Sequence, residues 1–386
     1  MSDLAEAPPP AAPPCGLRAG APARPVRVLC VTPSGPDGKG GIDRLYLYLR
    51  EGGRLAEQDG VAVRYLASRG EAQGAGWVAA FPGRALAFAA ALAQFRPDLV
   101  HINFATGGSL VRKRVLAALA RRAGCPVVLH FHGQFPLDGI ARRDLSGRLF
   151  LSLCRAADRV IALGEVSRDR FVAQAGVAPE RLRVVPNGIP DFAAPLRLPK
   201  IAAAPGRPVR ILFAGEVGTR KGVPVLIDAL ARLGRQGAWT CTIAGNGAVE
   251  ACAAQARAAG LAERVHFTGW IPSGAVHRLM IEADIVVLPS EAENMPLSLI
   301  EGACAGAALV ATPVAETRAV VRDGLNGVIV ERDPDSVARA LAGLIDDPAR
   351  LGRMQAASRH LYAQHFTLEA LAERLRAVYA EVAGPG

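Results

Sequence analysis

The feature of this sequence that most constrains its fold is the alternation of short apolar runs with helical stretches. Apolar runs rich in β-branched residues begin at residues 26–32 and recur up to residues 182–185, and helical stretches such as 110–123 lie between most of them. This alternation predicts βαβ units, and therefore a parallel sheet with helices on both faces. A second series of the same kind runs from residues 209–214 to residues 327–330.

The two series predict two α/β domains. A length of 386 residues agrees with that number, because a domain takes about 150 residues. Residues 190–208 contain five prolines and few aliphatic side chains, which is typical of an interdomain linker. The predicted divisions are a disordered tail rich in proline and alanine at 1–25, a first domain at 26–190, a linker at 191–208, a second domain at 209–365 and a C-terminal helix at 366–386.

Composition narrows the class of protein and the compartment. Apolar residues make up 51% of the chain and charged residues 21%, an ordinary globular balance. The 45 basic and 35 acidic residues give a net charge of +10, which permits contact with lipid head groups, phosphorylated substrates or nucleic acid. The seven cysteines are scattered without a Cys-x-x-Cys pair, so neither a metal site nor a disulfide framework is expected. We expect no transmembrane helix and no signal peptide, which favours the bacterial cytoplasm.

Two candidate sites lie in the first half. Residues 35–41 form a glycine-rich turn between the first strand and a helix, where the backbone approaches a ligand closely and N–H groups face an anion. A flexible turn without function is the alternative. His130 and His132 lie on one side of the strand at 127–131. His132 is nearer the loop and is predicted to face the cleft, whereas His130 suits a hydrogen-bonded core position.

The second half carries charged groups at two strand ends. Arg220 and Lys221 follow the strand at 209–214 and precede a helix, a position that favours phosphate binding over a solvated charge pair. Further along, Glu293 lies on a loop and Glu301 on the helix that follows it. Carboxylates accept hydrogen bonds from sugar hydroxyls, and the N–H groups between them would hold a diphosphate. The spacing therefore fits a nucleotide-sugar.

These motifs resemble those of the retaining glycosyltransferases of family 4, and the resemblance covers the chain apart from its tail. The most specific motif is E-x7-E, present as Glu293 and Glu301. The resemblance implies the GT-B arrangement, in which two Rossmann-like domains face each other across a cleft and the C-terminal helix crosses back to the first domain. The chain is similar in particular to bacterial transferases that build exopolysaccharides and other cell-surface polysaccharides.

The resemblance also implies roles for individual residues. Glu293 would hold the donor sugar, Glu301 the nucleotide ribose, and the amides of residues 295–297 the diphosphate. The implied catalytic set is His132, Glu293, Arg220 and Lys221. The implied donor-binding set is Gly40, Gly41, Gly218, Asn246, Met295, Pro296, Leu297 and Glu301.

One position departs from the family pattern. Gly215 is followed by Glu216, where the family usually has an arginine. A carboxylate near a diphosphate is repulsive, so either Arg220 takes over the clamp or donor affinity is altered. The expected reaction is transfer of a hexosyl group from a UDP- or GDP-linked sugar to an acceptor hydroxyl, with the anomeric configuration retained and without a metal or another cofactor.

The helix at 110–123 is a candidate for contact with the acceptor or a membrane. Its five cations, without an acid, are Arg112, Lys113, Arg114, Arg121 and Arg122. A solvated helix face is the simpler interpretation, and docking to anionic lipid or a lipid-diphosphate acceptor is the sharper one. The expected partners are a nucleotide-sugar donor, a lipid-linked or saccharide acceptor and an anionic surface at the inner face of the cell membrane. Nucleic acid is not expected, because aromatic residues make up only 5% of the chain.

Two rival functions stay open on the sequence alone. A nucleotide-sugar epimerase or a phosphorylase of the same fold would process the sugar in the same cleft without a second sugar acceptor. A non-catalytic membrane or nucleic-acid adaptor would depend only on the positive charge.

Overall fold

The computed structural model describes residues 24–35, 38, 40–70, 76–194, 198, 200, 207–234 and 237–384. Apart from its last two residues, the predicted tail at 1–25 lies outside the described part. The predicted linker at 191–208 is described only in part. Both assignments therefore stay predictions.

The first half alternates six strands with six α-helices in the described residues. The strands are β1 Val26–Thr32, β2 Val61–Ala67, β3 Leu99–Phe104, β4 Val127–Phe131, β5 Arg159–Ala162 and β6 Leu182–Val184. The helices are α1 Gly41–Glu51, α2 Trp77–Phe95, α3 Gly108–Arg122, α4 Leu137–Ala141, α5 Leu145–Ala156 and α6 Glu165–Ala175. Strands β3 and β4 are buried along their whole length. Apart from His101, Asn103 and His130 they are apolar, as is typical of strands that are covered on both faces.

The second half repeats this plan and ends in two long helices. Its strands are β7 Val209–Ala214, β8 Trp239–Ala244, β9 Val265–Gly269, β10 Ile285–Leu288, β11 Ala308–Ala311 and β12 Gly327–Ile329. Its helices are α7 Val223–Leu233, α8 Val249–Ala258, α9 Ser273–Glu282, α10 Leu297–Cys304, α11 Thr317–Val320, α12 Pro334–Ile345, α13 Pro348–His365 and α14 Leu368–Ala383.

Two parallel sheets of six strands result, which confirms the predicted α/β class. The strand orders are β2-β1-β3-β4-β5-β6 and β9-β8-β7-β10-β11-β12. In each sheet the order reverses direction once, between β1 and β3 and between β7 and β10. Ligands of open parallel sheets bind at the carboxyl ends of the strands beside such a reversal. The two reversals therefore mark where sites are expected.

The last helix crosses back to the first half, as the resemblance implied. Thr367 caps α14, since its hydroxyl accepts a hydrogen bond from the Ala370 N–H at 3.2 Å. The return is fixed by the Ile189 N–H, which donates to the carbonyl of Phe366 at 2.9 Å. Tyr379 of α14 is fully buried and its hydroxyl lies 2.6 Å from His101 Nδ1 of β3.

Helix α2 is the main element that the sequence analysis missed. Pro82, Gly83 and Arg84 interrupt its apolar run, so no long helix was predicted there. Within the described residues it is the one helix long and apolar enough, by length and composition, to cross a membrane. Most of it is exposed, including 72% of Leu86 and 58% of Val78.

Candidate active site

A cleft of about 510 Å³ lies between the two sheets and is lined by segments that follow strands of both. Nine of the predicted residues line it, namely Gly41, His132, Lys221, Asn246, Glu293, Met295, Pro296, Leu297 and Glu301. Gly40, Gly218 and Arg220 are not among the lining residues. The structure therefore brings most of the predicted site together at the reversal of the second sheet, where segments after β7 and β10 meet.

A shielded ion pair lies at the centre of the second-half wall. Lys221 Nζ lies 2.6 Å from Glu293 Oε1, and the two side chains are 14% and 10% exposed. The hydroxyl of Ser290 donates to the same carboxylate oxygen at 3.0 Å. Because little water reaches the pair, its attraction is weakly screened. An anionic ligand would compete with Glu293 for the ammonium, and ligand hydroxyls would replace the ammonium at the carboxylate.

Gly222 makes this pairing possible. Its backbone has a φ of +76°, and a Cβ there would overlap the carbonyl oxygen of Pro289. Only glycine adopts this conformation at such close approach without strain. The segment after β7 therefore packs directly on the end of β10, which brings Lys221 to Glu293.

Arg220 is already engaged in an ion pair. Its Nη2 lies 2.7 Å from Glu216 Oε2, and its Nη1 donates to the carbonyl of Ala292 at 3.3 Å. Glu216 lines the cleft, whereas Arg220 does not. The glutamate at the family's usual arginine position thus neutralises the neighbouring cation. Of the two cations predicted to clamp the donor phosphates, Lys221 is the one that lines the cleft.

The start of α10 supplies a second source of positive potential. Pro296 has extended backbone at the N-cap, and both Leu297 and Ser298 line the cleft. The first N–H groups of a helix have no partner within the helix and carry a partial positive charge. An anion in the cleft would therefore meet both this helix terminus and Lys221.

Glu301 is held by groups that the sequence analysis missed. Arg44 Nη1 of α1 donates to Glu301 Oε1 at 3.2 Å, and His277 Nε2 of α9 lies 3.9 Å from the same oxygen. The His277 ring stacks on Phe192, with centroids 3.9 Å apart. The one signal for Arg44 was its position in the first turn after the glycine loop. The carboxylate of Glu301 is only 4% exposed, yet it lines the cleft.

His132 faces the cleft from the first half as a neutral ring. Burial lowers its pKa to about 3. The Asn103 amide donates to the carbonyl of Val31 at 3.2 Å, so its oxygen is the partner that lies 2.8 Å from His132 Nε2. The proton is thereby assigned to Nε2, and Nδ1 is left as an acceptor. His132 suits the binding of a hydroxyl group rather than the delivery of a proton.

His130 is a core residue, as the alternative interpretation allowed. It is fully buried and stacks on His101, with ring centroids 5.4 Å apart. The Tyr46 hydroxyl lies 3.4 Å from His130 Nδ1 and 3.3 Å from His101 Nε2. Burial lowers the pKa of His101 to about 3 and that of His130 well below its usual value. Both rings are therefore neutral at physiological pH.

A hydrogen-bonded contact between the halves lies beside the cleft and was not predicted. The Asn294 amide, on the loop after β10, donates to the carbonyl of Gly133 at 2.9 Å. Glu316 accepts a hydrogen bond from the Ser167 N–H at 2.6 Å. It thus caps α6 from the other half. A Cβ at Gly164 would overlap the Glu316 carboxylate, so the lack of a side chain there admits the cap.

The structure corrects the expectation that five cations of α3 form one exposed face. Arg112 and Lys113 are 6% and 1% exposed, and Lys113 Nζ donates to the Ser68 hydroxyl at 2.6 Å. Arg114 is half-buried and donates to the Ser152 hydroxyl at 2.8 Å, while Arg121 pairs with Asp158 at 2.9 Å. Arg122 is exposed. The helix carries all five cations, but the side chains of Arg112 and Lys113 are buried.

Comparison with known proteins identifies the family. Residues 17–191 match the family described as Glycosyltransferase Family 4, and residues 208–347 match Glycosyl transferases group 1. The chain is 31% identical to D-inositol 3-phosphate glycosyltransferase 1 of Catenulispora acidiphila, over 73% of this chain and 72% of that protein. The chain belongs to glycosyltransferase family 4. This family 4 enzyme is also 32% identical to glycogen synthase of Mycobacterium tuberculosis, over 74% of this chain and 69% of that protein.

Solved structures confirm the GT-B fold of this glycosyltransferase. The Anabaena protein HepE, in complex with UDP and glucose, superposes with a TM-score of 0.71 at 20% identity, covering 92% of this chain and 99% of HepE. WaaG, a glycosyltransferase involved in lipopolysaccharide biosynthesis, has a TM-score of 0.67 at 17% identity and covers 92% of this chain and 100% of its own. At these identities the likeness concerns the fold alone.

Proposed function

We propose that this glycosyltransferase moves a hexosyl group from a UDP- or GDP-linked sugar to an acceptor hydroxyl and retains the anomeric configuration. The observation that carries the proposal is the pairing of Lys221 with Glu293 at 2.6 Å beside the start of α10. The diphosphate binds to the Lys221 ammonium and to the first N–H groups of α10. The sugar hydroxyls then donate hydrogen bonds to the Glu293 carboxylate in place of the ammonium.

The chemistry follows from these charges. The bond between the anomeric carbon and the diphosphate oxygen breaks, and negative charge develops on the diphosphate. Lys221 and the α10 terminus are already in place to stabilise that charge. The acceptor oxygen bonds to the same face of the sugar, and its proton passes to a phosphate oxygen of the leaving group. The protein's own groups supply the positive charge, and we propose that the reaction needs no metal.

Groups of the first half support the positioning of the donor. His132 Nδ1 is an acceptor for a sugar hydroxyl, because Nε2 is bonded to Asn103. Arg44 holds Glu301 from α1 at 3.2 Å. A ribose bound to Glu301 would therefore contact both halves and favour their closed arrangement.

For the acceptor we propose a lipid-linked sugar or a growing cell-surface polysaccharide, such as an exopolysaccharide. The net charge of +10 and the exposed apolar surface of α2 support work at an anionic membrane face. We place the enzyme in the cytoplasm, bound peripherally to the inner face of the membrane. Fractionation of cells in low and high salt tests this, because peripheral binding through charge is released by salt.

A panel of UDP- and GDP-sugars, read by thermal unfolding, tests the donor. A ligand at 100 times its dissociation constant stabilises the fold by about 2.7 kcal/mol. We expect Glu301→Gln to weaken the binding of UDP or GDP that carries no sugar. We expect Glu293→Gln to keep nucleotide affinity and lose the additional affinity for the sugar. Glu263→Gln, an exposed glutamate of the same half, is the matched control. Equal binding by all three variants would contradict the proposal.

Product analysis separates transfer from the rival activities. Free nucleotide diphosphate that forms only when acceptor is present supports transfer. An altered nucleotide-sugar without an acceptor indicates an epimerase, and a sugar phosphate indicates a phosphorylase. Nuclear magnetic resonance of the product reports whether the anomeric configuration matches that of the donor.

A further inference from the structure

A second pocket of about 350 Å³ lies at the strand-order reversal of the first sheet. Segments after β1 and β3 line it, together with Arg69 and Trp77. It corresponds in position to the donor cleft, which lies at the reversal of the second sheet. Open parallel sheets bind ligands at such positions, so the first half has the place for a site of its own.

Arg112 lies in this pocket as a buried cation, and its Nε has no hydrogen-bond partner among the residues that the structure describes. The residue is only 6% exposed, and its guanidinium stacks 4.5 Å from the centroid of the Trp77 ring. Of the described residues that line the pocket, none is an aspartate or a glutamate. Within the described part of the chain Arg112 therefore has no counterion, and a buried charge of this kind is costly, which leaves the pocket suited to an anion.

Arg69 and the start of α3 also favour an anion in this pocket. Arg69 also lines it and donates to the Ser34 hydroxyl at 3.1 Å, while its side chain is exposed. Burial, and to a smaller extent the charge of Arg69, lower the pKa of Arg112. The 15-residue helix α3 begins at Gly108, and the N-terminal Gly108 and Ser109 line the pocket. Helix N-termini attract anions.

The pocket adjoins the donor cleft. Ile42 lines both cavities. Asn103 lines the second pocket, and its side-chain oxygen lies 2.8 Å from Nε2 of His132 in the cleft. A molecule anchored in the second pocket would therefore extend its hydroxyl groups to the sugar side of the cleft.

We infer that the second pocket binds a phosphate group of the acceptor, with Arg112 and Arg69 as its ligands. The inference rests on the proposed transferase function and specifies the acceptor class, an alcohol that carries a phosphate. The phosphate belongs to a soluble sugar or polyol phosphate, or to a lipid head group. The exposed apolar surface of α2 begins at Trp77 beside the pocket, so the fold accommodates either source.

Glycerol 3-phosphate tests the shared chemistry. It is titrated by calorimetry into the full chain, into Arg112→Gln and into Arg69→Gln. Each variant should bind at least ~10-fold more weakly, the loss expected for one charge-assisted hydrogen bond. Arg155→Gln removes an exposed arginine on the neighbouring helix α5 and should bind like the wild type. Since Arg112 is buried, Arg69→Gln is the variant that keeps the test valid if Arg112→Gln does not fold.

The variant Lys221→Ala tests whether glycerol 3-phosphate binds in the donor cleft instead of the second pocket. This variant should bind glycerol 3-phosphate as the wild type does while losing UDP affinity, and Arg69→Gln should show the reverse. Loss of glycerol 3-phosphate binding in Lys221→Ala, or unchanged binding in Arg69→Gln, overturns the inference. Either result leaves the donor assignment to be judged by UDP binding alone.

Vesicles distinguish the two sources of phosphate. Phosphatidylcholine vesicles with and without phosphatidic acid are sedimented with the wild type and with Arg69→Gln. Recruitment that needs both phosphatidic acid and Arg69 supports a lipid phosphate. Binding of glycerol 3-phosphate without recruitment to vesicles supports a soluble acceptor. Recruitment that is the same for both proteins, together with no effect of Arg69→Gln on glycerol 3-phosphate, contradicts the inference.

Discussion

The two walls of the cleft are built on similar parallel sheets but present different chemistry. The second half contributes a shielded charged pair, Lys221 and Glu293, whose side chains line the cleft. The first half contributes His132, a neutral ring whose orientation is fixed by Asn103. A charged pair is suited to exchange for a charged ligand, whereas a fixed neutral ring orients hydroxyl groups without attracting phosphate. Under the proposed function, the Lys221 wall stabilises the charge of the leaving group and His132 of the other wall orients the sugar.

Removal of the charge on the second wall should have the largest effect. We expect Lys221→Ala to lower kcat by ~10²-fold or more, because the charge on the leaving group loses its main partner. Steady-state kinetics with the donor identified by the panel measures this. Arg257→Ala, an exposed cation of α8, is the control and should not change kcat. Near-normal turnover of Lys221→Ala would contradict the role of Lys221 in stabilising the leaving group, and with it the proposed difference between the two walls.

The neutral histidines beneath the first wall predict a pH dependence of stability. The pKa of His101 is lowered to about 3 and that of His130 well below the usual 6.5. Below about pH 6.5 the unfolded chain binds protons that the folded chain does not. The free energy of unfolding therefore decreases as the pH is lowered. Between about pH 7 and about pH 5.5 the loss is roughly 1 kcal/mol for each histidine.

Urea unfolding at the two pH values measures this loss. His130→Phe keeps a ring in the stack and removes one titrating group, so it should flatten the pH dependence by roughly 1 kcal/mol whatever its effect on absolute stability. An unchanged pH dependence would show that His130 takes up its proton over the same pH range in the folded protein as in the unfolded chain.

The contact between the walls can be tested at Gly164. We expect Gly164→Ala to displace the Glu316 carboxylate from the Ser167 N–H and to cost roughly 1–2 kcal/mol of unfolding free energy, the value of a helix cap. Gly274→Ala is the control, because a Cβ there meets open space. Chemical denaturation compares the two. If both variants are equally stable, Glu316 does not connect the halves.

The smallest expected effect concerns Glu216, an acid of the second wall that pairs with Arg220. Glu216→Ala frees Arg220 from its exposed ion pair and removes a negative charge from the cleft. An exposed pair contributes less than about 1 kcal/mol, so UDP affinity should rise by no more than about 5-fold. Calorimetric titration of UDP measures this, and weaker binding would show that Glu216 itself contacts the ligand.

The sequence was sufficient for most of the fold. Strands such as β10 and β11 are buried on both faces, so their residues form continuous apolar runs with sharp ends. The same analysis missed α2, because its apolar run is exposed and interrupted at Pro82. It also placed Lys113 at the surface, because the number of charges on a helix does not indicate which of them point inward.

The site was predictable where it follows strand ends and not where distant segments meet. Lys221 and Glu293 each follow a strand of one sheet, and topology brings such positions together. The contact of Arg44 with Glu301 joins residues 257 positions apart, and that of Ser167 with Glu316 joins residues 149 apart. Neither pair has a local pattern, since each depends on how the two halves are packed.

The return of α14 has a consequence for the synthesis of the protein. Tyr379 reaches His101 of β3 only after a further 278 residues have been made. Because the ribosome releases residues in order, the early sheet emerges long before the helix that covers its buried tyrosine and histidine cluster. The first sheet of a nascent chain therefore stays uncovered at this cluster until α14 has left the ribosome.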